Sequence, residues 1–516
     1  MNDEEFEAAG QQMLKYVIDY HKNIRERRVM PDVRPGFMRK LLPDHAPHTP
    51  EKWDQLFKDI ERVIMPGVTH WHHPHFYAYF PTANSYPAIL ADILSDTIAC
   101  IGFTWASCPS CTELEVIVMD WLVKVMDLPE AFLSTSPGHG GGVIQGTASE
   151  ATLVAVLSAR TKFINKIKEK NPSMEDGVAL TKLIAYTSRQ SHSSVERAYM
   201  IALVKYRILD TDEKQALRGD TLKKAIDEDR AKGLTPFFVN ISSIDRSRYP
   251  KQSCIPVIKI SMFIFLSQVC ATLGTTSSCA FDNCKEIGIV CEQENIWMHI
   301  DAAYAGSSFI CPEYRPLLDG VEHADSFNFN PHKWMQVTFD CSTMWVKNSK
   351  DISQSFSVEP VYLKHENEGL MPDYRHWHIP LGRRFRSLKL WFVLRLFGVK
   401  GLQDIIRQMD NYAVTRFEQF LLLHTVSIYL YLSIYLSIYL SIYLYIHIYI
   451  CGSNEINEKL IKSINEDGRI HMVPSRVDDT FFLRLSICTT RTQNHDIDFA
   501  WKVVSEVADN VLKTAK

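Results

Sequence analysis

The amino-acid sequence predicts an α/β fold from its hydrophobic patterns. Residues 4–23 and 113–126 place apolar side chains at helical spacing, which indicates two amphipathic helices. Short apolar runs that end in a polar residue, such as NIWMHIDAAY (295–304), alternate with helical segments, as buried parallel strands do. In open α/β sheets the functional side chains follow the carboxyl ends of strands, so Asp301 is a candidate site residue.

Composition and charge narrow the class of protein. The chain has 516 residues, 46% hydrophobic and 22% charged, which supports a large core divided into two or three domains. Its 56 basic and 60 acidic residues are well mixed and give a net charge of −4, so we expect no nucleic-acid partner. The first residues, MNDEEFEAAG, lack the basic and apolar regions of a secretory signal, and a cytoplasmic location is expected.

The cysteines predict neither disulfides nor a metal. Twelve cysteines are sparse in a chain of this length. Cys108 and Cys111 form a C-x-x-C pair without a second pair, so zinc is not expected and reduced thiols are the better interpretation.

Two stretches break the α/β pattern. Residues 239–268 interrupt what would otherwise be one strand and turn, from PFF (236–238) to VCATLGTT (269–276). Residues 420–451 form a low-complexity segment without a charged side chain, in which Ser-Ile-Tyr-Leu repeats with a four-residue period. The length of this second stretch meets the usual criterion for a membrane span.

We interpret both stretches as translated non-coding sequence. The DNA repeat TCTA encodes Ser-Ile-Tyr-Leu in any frame. The codons of Val239-Asn240 can form a splice donor sequence, and those of Phe265–Gln268 can form a splice acceptor sequence. A genuine insertion and a membrane anchor are the alternatives. Tyrosine-rich spans without basic flanks are poor anchors, so no genuine membrane span is expected.

Lys333 lies in an otherwise uncharged run, FNFNPHKWM (327–335). Its amine either turns outward to water or is used in a covalent bond, because burying a free ammonium costs several kcal/mol. A glycine turn, QGTASEATL (145–153), leads into a helix whose first N–H groups can hold a phosphate, although a plain helix cap gives the same pattern. The turn lacks the lysine of a nucleotide-binding P-loop. A reactive lysine, Asp301, the flat ring of His192 and a phosphate cup are together what pyridoxal phosphate requires.

The chain resembles the group II pyridoxal-phosphate-dependent amino-acid decarboxylases, in particular the branch that acts on aromatic L-amino acids. The resemblance covers residues 1–238, 269–419 and 452–516. It rests on long motifs: MPGVTHWHHPHFYAYFPTANSYPAILADIL (65–94), GGGVIQGTASEATL (140–153), SHSSVERA (191–198), ATLGTT (271–276), HIDAAYAG (299–306), SFNFNPHKWM (326–335) and HWHIPLGRRFRSLKLWFV (376–393).

This resemblance implies a fold-type I enzyme. It would have a helical N-terminal segment (1–85), a large cofactor-binding domain (86–388) with a mainly parallel seven-stranded sheet flanked by helices, and a small α+β C-terminal domain (389–516). A homodimer is expected, with Ile101 and Phe103 reaching the partner's site.

The resemblance also assigns residue roles. Lys333 would bond covalently to the cofactor, His192 would stack on its ring, Asp301 would pair with the ring nitrogen, and Tyr362 would close over the site and assist protonation. The other implied cofactor contacts are Ala148, Ser149, Thr276, Ala303, Asn330 and His332. The implied substrate contacts are Trp71, Tyr79, Phe80, Thr82, Ile101, Phe103 and Gly382.

The expected reaction is decarboxylation of L-DOPA and 5-hydroxytryptophan to dopamine and serotonin. Relatives that decarboxylate histidine usually carry serine at the positions of His332 and Gly382, and a glycine at 382 leaves more room for a large ring. Histidine decarboxylation remains an alternative, as does a non-catalytic, misfolded or membrane-associated product. Arg189 and Ser191 depart from the family's Asp and Ala and alter the surroundings of His192.

Overall fold

The structure is a computed structural model that describes residues 1–80, 82–231, 265–358, 363, 369–423, 445–448, 453–487 and 489–514. Side chains are described throughout these ranges except in 265–267, 412–423 and 445–448. The chain forms two compact units, one of Met1–Ala83 with Asp404–Lys516 and the other of Asn84–Gln403. The three-part division expected from the sequence stays a prediction.

Helices and strands alternate along the larger unit. The α-helices of the described residues are α1 (Asp3–Lys22), α2 (Trp53–Asp59), α3 (Tyr86–Ile98), α4 (Pro109–Met126), α5 (Ala148–Lys170), α6 (Asp176–Leu180), α7 (Ser193–Ile201), α8 (Gly219–Ala231), α9 (Cys284–Glu294), α10 (Pro331–Trp334), α11 (Ser349–Phe356), α12 (Arg386–Leu423), α13 (Asn454–Asp467) and α14 (Asn494–Thr514). Helix α12 is kinked at Gly398, whose backbone angles are not helical. The strands are β1 (Gly141–Gln145), β2 (Leu183–Ser188), β3 (Lys205–Leu209), β4 (Phe265–Thr272), β5 (Trp297–Asp301), β6 (Ser326–Phe329), β7 (Ser342–Val346), β8 (Tyr445–Ile448), β9 (Val473–Val477) and β10 (Thr480–Ser486). Both predicted helices are confirmed as α1 and α4, and the predicted strand before Asp301 is β5.

The larger unit contains one mainly parallel sheet. Within the part of the chain that is described, its seven strands follow the order β1-β7-β6-β5-β4-β2-β3. Strand β7 runs antiparallel to both β1 and β6, whereas β6, β5, β4, β2 and β3 are parallel. Consequently β1 points the same way as the parallel strands, and the carboxyl ends of β1, β2, β4, β5 and β6 lie at one edge. The predicted sheet is confirmed.

Both faces of five strands of this sheet are buried. Strands β1, β2, β5, β6 and β7 are buried along their whole length, as expected for a sheet covered by helices. Helix α5 packs across this sheet, and its Val156, Ala159 and Phe163 form one core cluster with Leu183 and Tyr199. This packing fixes the start of α5 against the sheet edge.

Strand β4 begins inside the first anomalous stretch. Its pairing with β2 is irregular between Leu266 and Gln268, where the register shifts by one residue. Gln268 is only 1% exposed, and neither its side-chain oxygen nor its nitrogen has a hydrogen-bond partner within the described residues. A buried amide without partners destabilises a fold. The stretch thus contributes a poorly suited residue to the centre of the sheet.

The smaller unit has a three-stranded antiparallel sheet, in the order β8-β10-β9 among its described residues. Leu460 and Ile464 of α13 pack with Leu483 of β10 and with Trp501 and Val504 of α14. Strand β8 lies in the Ser-Ile-Tyr-Leu stretch and pairs with β10, so the end of that stretch takes part in the sheet. Of the helices that the structure describes, none combines the length and apolarity needed to cross a membrane.

Candidate active site

A cavity of about 230 Å³ opens at the carboxyl edge of the large sheet, beyond β1, β2, β4, β5 and β6. This is where open α/β sheets bind ligands. Its lining residues are Thr147, Ala148, Ser149, His192, Ser194, Thr272, Gly274, Thr276, Asp301, Ala303, Tyr304, Asn330, His332 and Lys333.

One wall of the cavity is the start of α5. Thr147 has extended backbone angles and caps the helix, and its Oγ1 accepts a hydrogen bond from the Glu150 N–H at 3.2 Å. Ala148 and Ser149 are the first two helical residues, and N–H groups at these positions have no acceptor within a helix. Together with the positive end of the helix dipole they can bind an anion such as a phosphate.

Asp301 ends β5 and is 3% exposed. Its Oδ1 accepts hydrogen bonds from the Ala303 N–H at 3.0 Å and from Asn328 Nδ2 at 3.3 Å. These donors hold the carboxylate in one orientation at the cavity wall. A buried carboxylate so placed can pair with a protonated ring nitrogen.

His192 precedes α7 and supplies a flat ring to the cavity. Its Nδ1 lies 2.8 Å from Ser194 Oγ and accepts the Ser194 N–H at 3.2 Å, which assigns the proton of the neutral ring to Nε2. Burial lowers the pKa of His192, while the Asp301 carboxylate opposes that shift. The ring is therefore neutral at pH 7 and suited to stacking on an aromatic ligand.

Lys333 lies in the short helix α10, directly after β6. Asn330 precedes this helix, and its carbonyl accepts the Lys333 N–H at 2.9 Å. His332 is buried and its Nδ1 accepts the Cys341 N–H at 2.9 Å, while burial lowers its pKa to about 3. The ring of Tyr304 stacks on Trp334 at 5.4 Å. These contacts fix the backbone that carries Lys333 to the cavity.

Gly274 lets the chain after β4 pass close to the cavity. Its φ is +83°, and a Cβ built on it would lie 2.6 Å from the Cβ of Ala305. Both the backbone conformation and the space therefore require glycine here.

The structure brings together every residue for which the sequence predicted a cofactor contact. Their individual roles stay predictions. Sequence reasoning missed four residues of the same cavity: Ser194, Thr272, Gly274 and Tyr304. All four stand in the motifs already quoted, within four residues of a predicted contact, so proximity in the motif was the available signal.

None of the predicted substrate contacts is among the described residues that line the cavity. Trp71, Tyr79, Phe80 and Thr82 belong to the smaller unit, where Trp71 stacks on Tyr79 at 5.4 Å. Ile101, Phe103 and Gly382 belong to the larger unit and are not among the described residues that line the cavity. Their substrate roles stay predictions.

The predicted loop tyrosine, Tyr362, lies outside the described residues. Its role as a proton donor also stays a prediction.

The cavity residues fit pyridoxal phosphate. The uncapped N–H groups of Ala148 and Ser149 suit its phosphate, Asp301 suits the ring nitrogen, and Lys333 offers an amine. In addition, the buried Oδ1 of Asn330 has no hydrogen-bond partner within the described ranges, and a polar ligand could satisfy it.

Comparison with known proteins agrees with this fit. Residues 35–243 and 258–422 match the family described as "Pyridoxal-dependent decarboxylase conserved domain". The chain belongs to this family. The gap in the match, residues 244–257, falls inside the first anomalous stretch of this pyridoxal-dependent decarboxylase.

Several decarboxylases are similar to this chain along most of their length. The chain is 51% identical to the aromatic-L-amino-acid decarboxylase of Manduca sexta over 98% of this chain and 92% of that protein. It is 48% identical to the mouse protein of the same name over the full length of both. Among solved structures, tryptophan decarboxylase from Catharanthus roseus in complex with L-tryptophan has a TM-score of 0.84 and 32% identity, over 99% of each chain. These comparisons and the sheet confirm the fold-type I architecture and the cofactor, pyridoxal phosphate.

Replacing Asp301 by asparagine is expected to lower turnover at least about a hundredfold while leaving cofactor bound, because the amide keeps the shape but not the charge at the ring nitrogen. The turnover of Asp301→Glu should lie between those of the unmodified protein and Asp301→Asn. Turnover and the visible absorption of the loaded protein measure both effects. Asp325→Asn is the matched control, since Asp325 accepts the Met298 N–H at 2.9 Å at the opposite end of β6. Equal turnover of Asp301→Asn and this control would contradict the role.

Proposed function

We propose that this protein removes the α-carboxyl group of aromatic L-amino acids, with L-DOPA and 5-hydroxytryptophan as substrates. The products are carbon dioxide and the corresponding amine, dopamine or serotonin. One observation carries the proposal: Lys333, Asp301, His192 and the start of α5 surround one cavity. The identity of about half of all residues to aromatic-L-amino-acid decarboxylases supports the aromatic substrate class.

Bound pyridoxal phosphate supplies a ring that accepts the electron pair left when the carboxylate departs as carbon dioxide. The protein must orient the substrate so that the breaking bond stands perpendicular to that ring. Ala148 and Ser149 would hold the phosphate end, Asp301 would keep the ring nitrogen protonated, and His192 would cover one face. Lys333 would hold the cofactor through its side-chain amine between turnovers.

Carbon dioxide release from purified, cofactor-loaded protein tests the proposal with L-DOPA, 5-hydroxytryptophan and L-histidine as separate substrates. We expect release from the first two and little from histidine. Preference for histidine would replace the proposal with its closest alternative. Soluble, cofactor-loaded protein that releases carbon dioxide from none of the three would favour a non-catalytic product.

A substitution at Gly382 tests what determines the choice of substrate. A Cβ at this position would lie 3.6 Å from Ile101 Cγ2, an ordinary contact, so Gly382→Ser should fold normally. We expect it to lower kcat/KM for 5-hydroxytryptophan by about tenfold, because a larger side chain removes room for the indole ring. Gly177→Ser is a control at an open glycine of the same unit. An unchanged kcat/KM in Gly382→Ser would show that Gly382 does not determine the choice of substrate.

Tyr362 is proposed to deliver the proton that completes the amine. Without a donor at the α carbon, dioxygen can oxidise that carbon, and the products become aldehyde, ammonia, hydrogen peroxide and carbon dioxide. Tyr362→Phe should therefore consume oxygen and form aldehyde, measured with an oxygen electrode and by chromatography. Tyr206→Phe serves as the control, since the Tyr206 hydroxyl contacts Glu196. Clean amine formation without oxygen uptake would exclude this role for Tyr362.

A homodimer is part of the proposal, and the surface of α3 supports it. Leu90, Ile93, Leu94 and Ile98 recur at helical spacing and are each 41–51% exposed, followed by Ile101 at 53%. Contiguous exposed apolar side chains of this kind mark protein interfaces. Sedimentation equilibrium of the loaded protein should give twice the mass of the chain, and a monomer would contradict the proposal. The cytoplasmic location stays a prediction.

A further inference from the structure

A group of three cysteines lies in the larger unit, apart from the residues that line the cavity. Cys100 follows the end of α3, Cys108 caps α4 and Cys111 lies in the first turn of α4. Their sulfur atoms all lie within 4.8 Å of one another, and Cys100 Sγ is 3.2 Å from Cys111 Sγ. No other described group of cysteine, histidine or carboxylate ligand atoms is gathered in this way.

The loop that joins these cysteines is held by contacts that do not involve sulfur. The Thr104 N–H donates to Ser107 Oγ at 3.1 Å, and the Ser107 N–H donates to Thr104 Oγ1 at 3.1 Å. The Gly102 N–H donates to the Arg383 carbonyl at 3.3 Å. The sulfurs are thus brought together by the backbone and remain available to a ligand.

The loop between α3 and α4 packs closely against Cys111 at Gly102. A Cβ built on Gly102 would lie 2.7 Å from the Cys111 Cβ, so only glycine lets the loop approach so closely. Cys111 is 4% exposed, whereas Cys100 and Cys108 are partly exposed. An ion could therefore reach the group from the solvent side.

We propose that Cys100, Cys108 and Cys111 bind one soft metal cation, of the class of Zn²⁺ or Cu⁺, through three thiolates. Soft thiolate sulfur selects these ions over Mg²⁺ or Ca²⁺. With Zn–S bonds of about 2.3 Å, tetrahedral geometry separates the sulfurs by about 3.8 Å, which small side-chain rotations reach from the observed separations. No fourth histidine, cysteine or carboxylate of the described residues joins the group, so a zinc ion would keep one position for water.

This site was not expected from the sequence, which excluded zinc because only Cys108 and Cys111 stood in a recognisable pair. The third ligand comes from the end of the preceding helix. A bound ion would tie the end of α3 to the start of α4 and fix the loop that carries Ile101 and Phe103. The site itself does not depend on the proposed decarboxylation.

Titration of the full-length, cofactor-loaded and reduced protein with Cd²⁺ tests the site, because cadmium thiolates give an ultraviolet charge-transfer band. Binding is measured against a competing chelator. Cys108→Ser is the informative variant, since serine is a preferred helix cap and should preserve α4. We expect it to weaken binding at the site by about a hundredfold or more and to reduce the band.

Cys279→Ser is the matched control, because Cys279 is a partly exposed cysteine outside the group. It should bind Cd²⁺ as the unmodified protein does, and Cys100→Ala should lose the site as Cys108→Ser does. The same Cd²⁺ affinity and band in Cys108→Ser, Cys100→Ala and Cys279→Ser would overturn the proposal. A Cys100–Cys111 disulfide in protein kept under reductant, detected by mass spectrometry, would also overturn it.

Discussion

Replacing Lys333 by alanine is expected to reduce turnover by at least about a thousandfold, the largest effect of any single substitution. Lys333 lines the cavity with Asp301 and His192, and it is the only lysine among the described residues that line it. Without its amine the cofactor can be held only by non-covalent contacts. The variant therefore lacks the covalently bound cofactor with which the substrate amine would react. Decarboxylation of L-DOPA under saturating cofactor measures the loss.

A second measurement separates this role from a structural one. Borohydride reduction should fix the cofactor covalently to the unmodified protein, and intact mass should show no such addition in Lys333→Ala. Lys347→Ala is the matched control, because Lys347 follows β7, which runs opposite to the strands that end at the cavity. Turnover of Lys333→Ala within about tenfold of the control would remove Lys333 from the proposed mechanism.

Deleting Val239–Gln268 is expected to raise the soluble yield of cofactor-bound protein several-fold. The deletion joins Phe238 to Val269 and replaces Gln268, a buried amide without described partners, by an apolar side chain next to Ala185 and Trp297. Relief of the amide alone is worth about 1–3 kcal/mol. Removing the register shift in β4 and the cost of closing the inserted loop adds to this.

Two comparisons isolate the causes. Gln268→Leu removes the unsatisfied amide but keeps the insert, so its stability should lie between those of the full chain and the deletion. Deleting the Ser-Ile-Tyr-Leu stretch alone should improve solubility. It should not complete the sheet of the small domain, because the deletion also removes β8, which pairs with β10. Thermal unfolding and soluble yield measure these differences. Equal yield and activity of the undeleted chain would show that residues 239–268 are a tolerated insertion.

The local features on which the site depends could be predicted from the amino-acid sequence alone. Helical spacing located α1 and α4, the apolar run before Asp301 located β5, and the turn through Thr147 located the start of α5. These signals concern neighbours along the chain, where backbone hydrogen bonding and side-chain periodicity leave a direct pattern. The long motifs around Lys333 and His192 then indicated the family and its cofactor.

Which of these features come together in space depends on how the chain folds. The strand order places the ends of β1, β2, β4, β5 and β6 at one edge, and no local pattern specifies that order, because it follows from long-range packing. For the same reason Cys100 joined Cys108 and Cys111 without a signal in the sequence. The start of β4 at Phe265 likewise reflects pairing with β2, which draws residues of an anomalous stretch into the sheet.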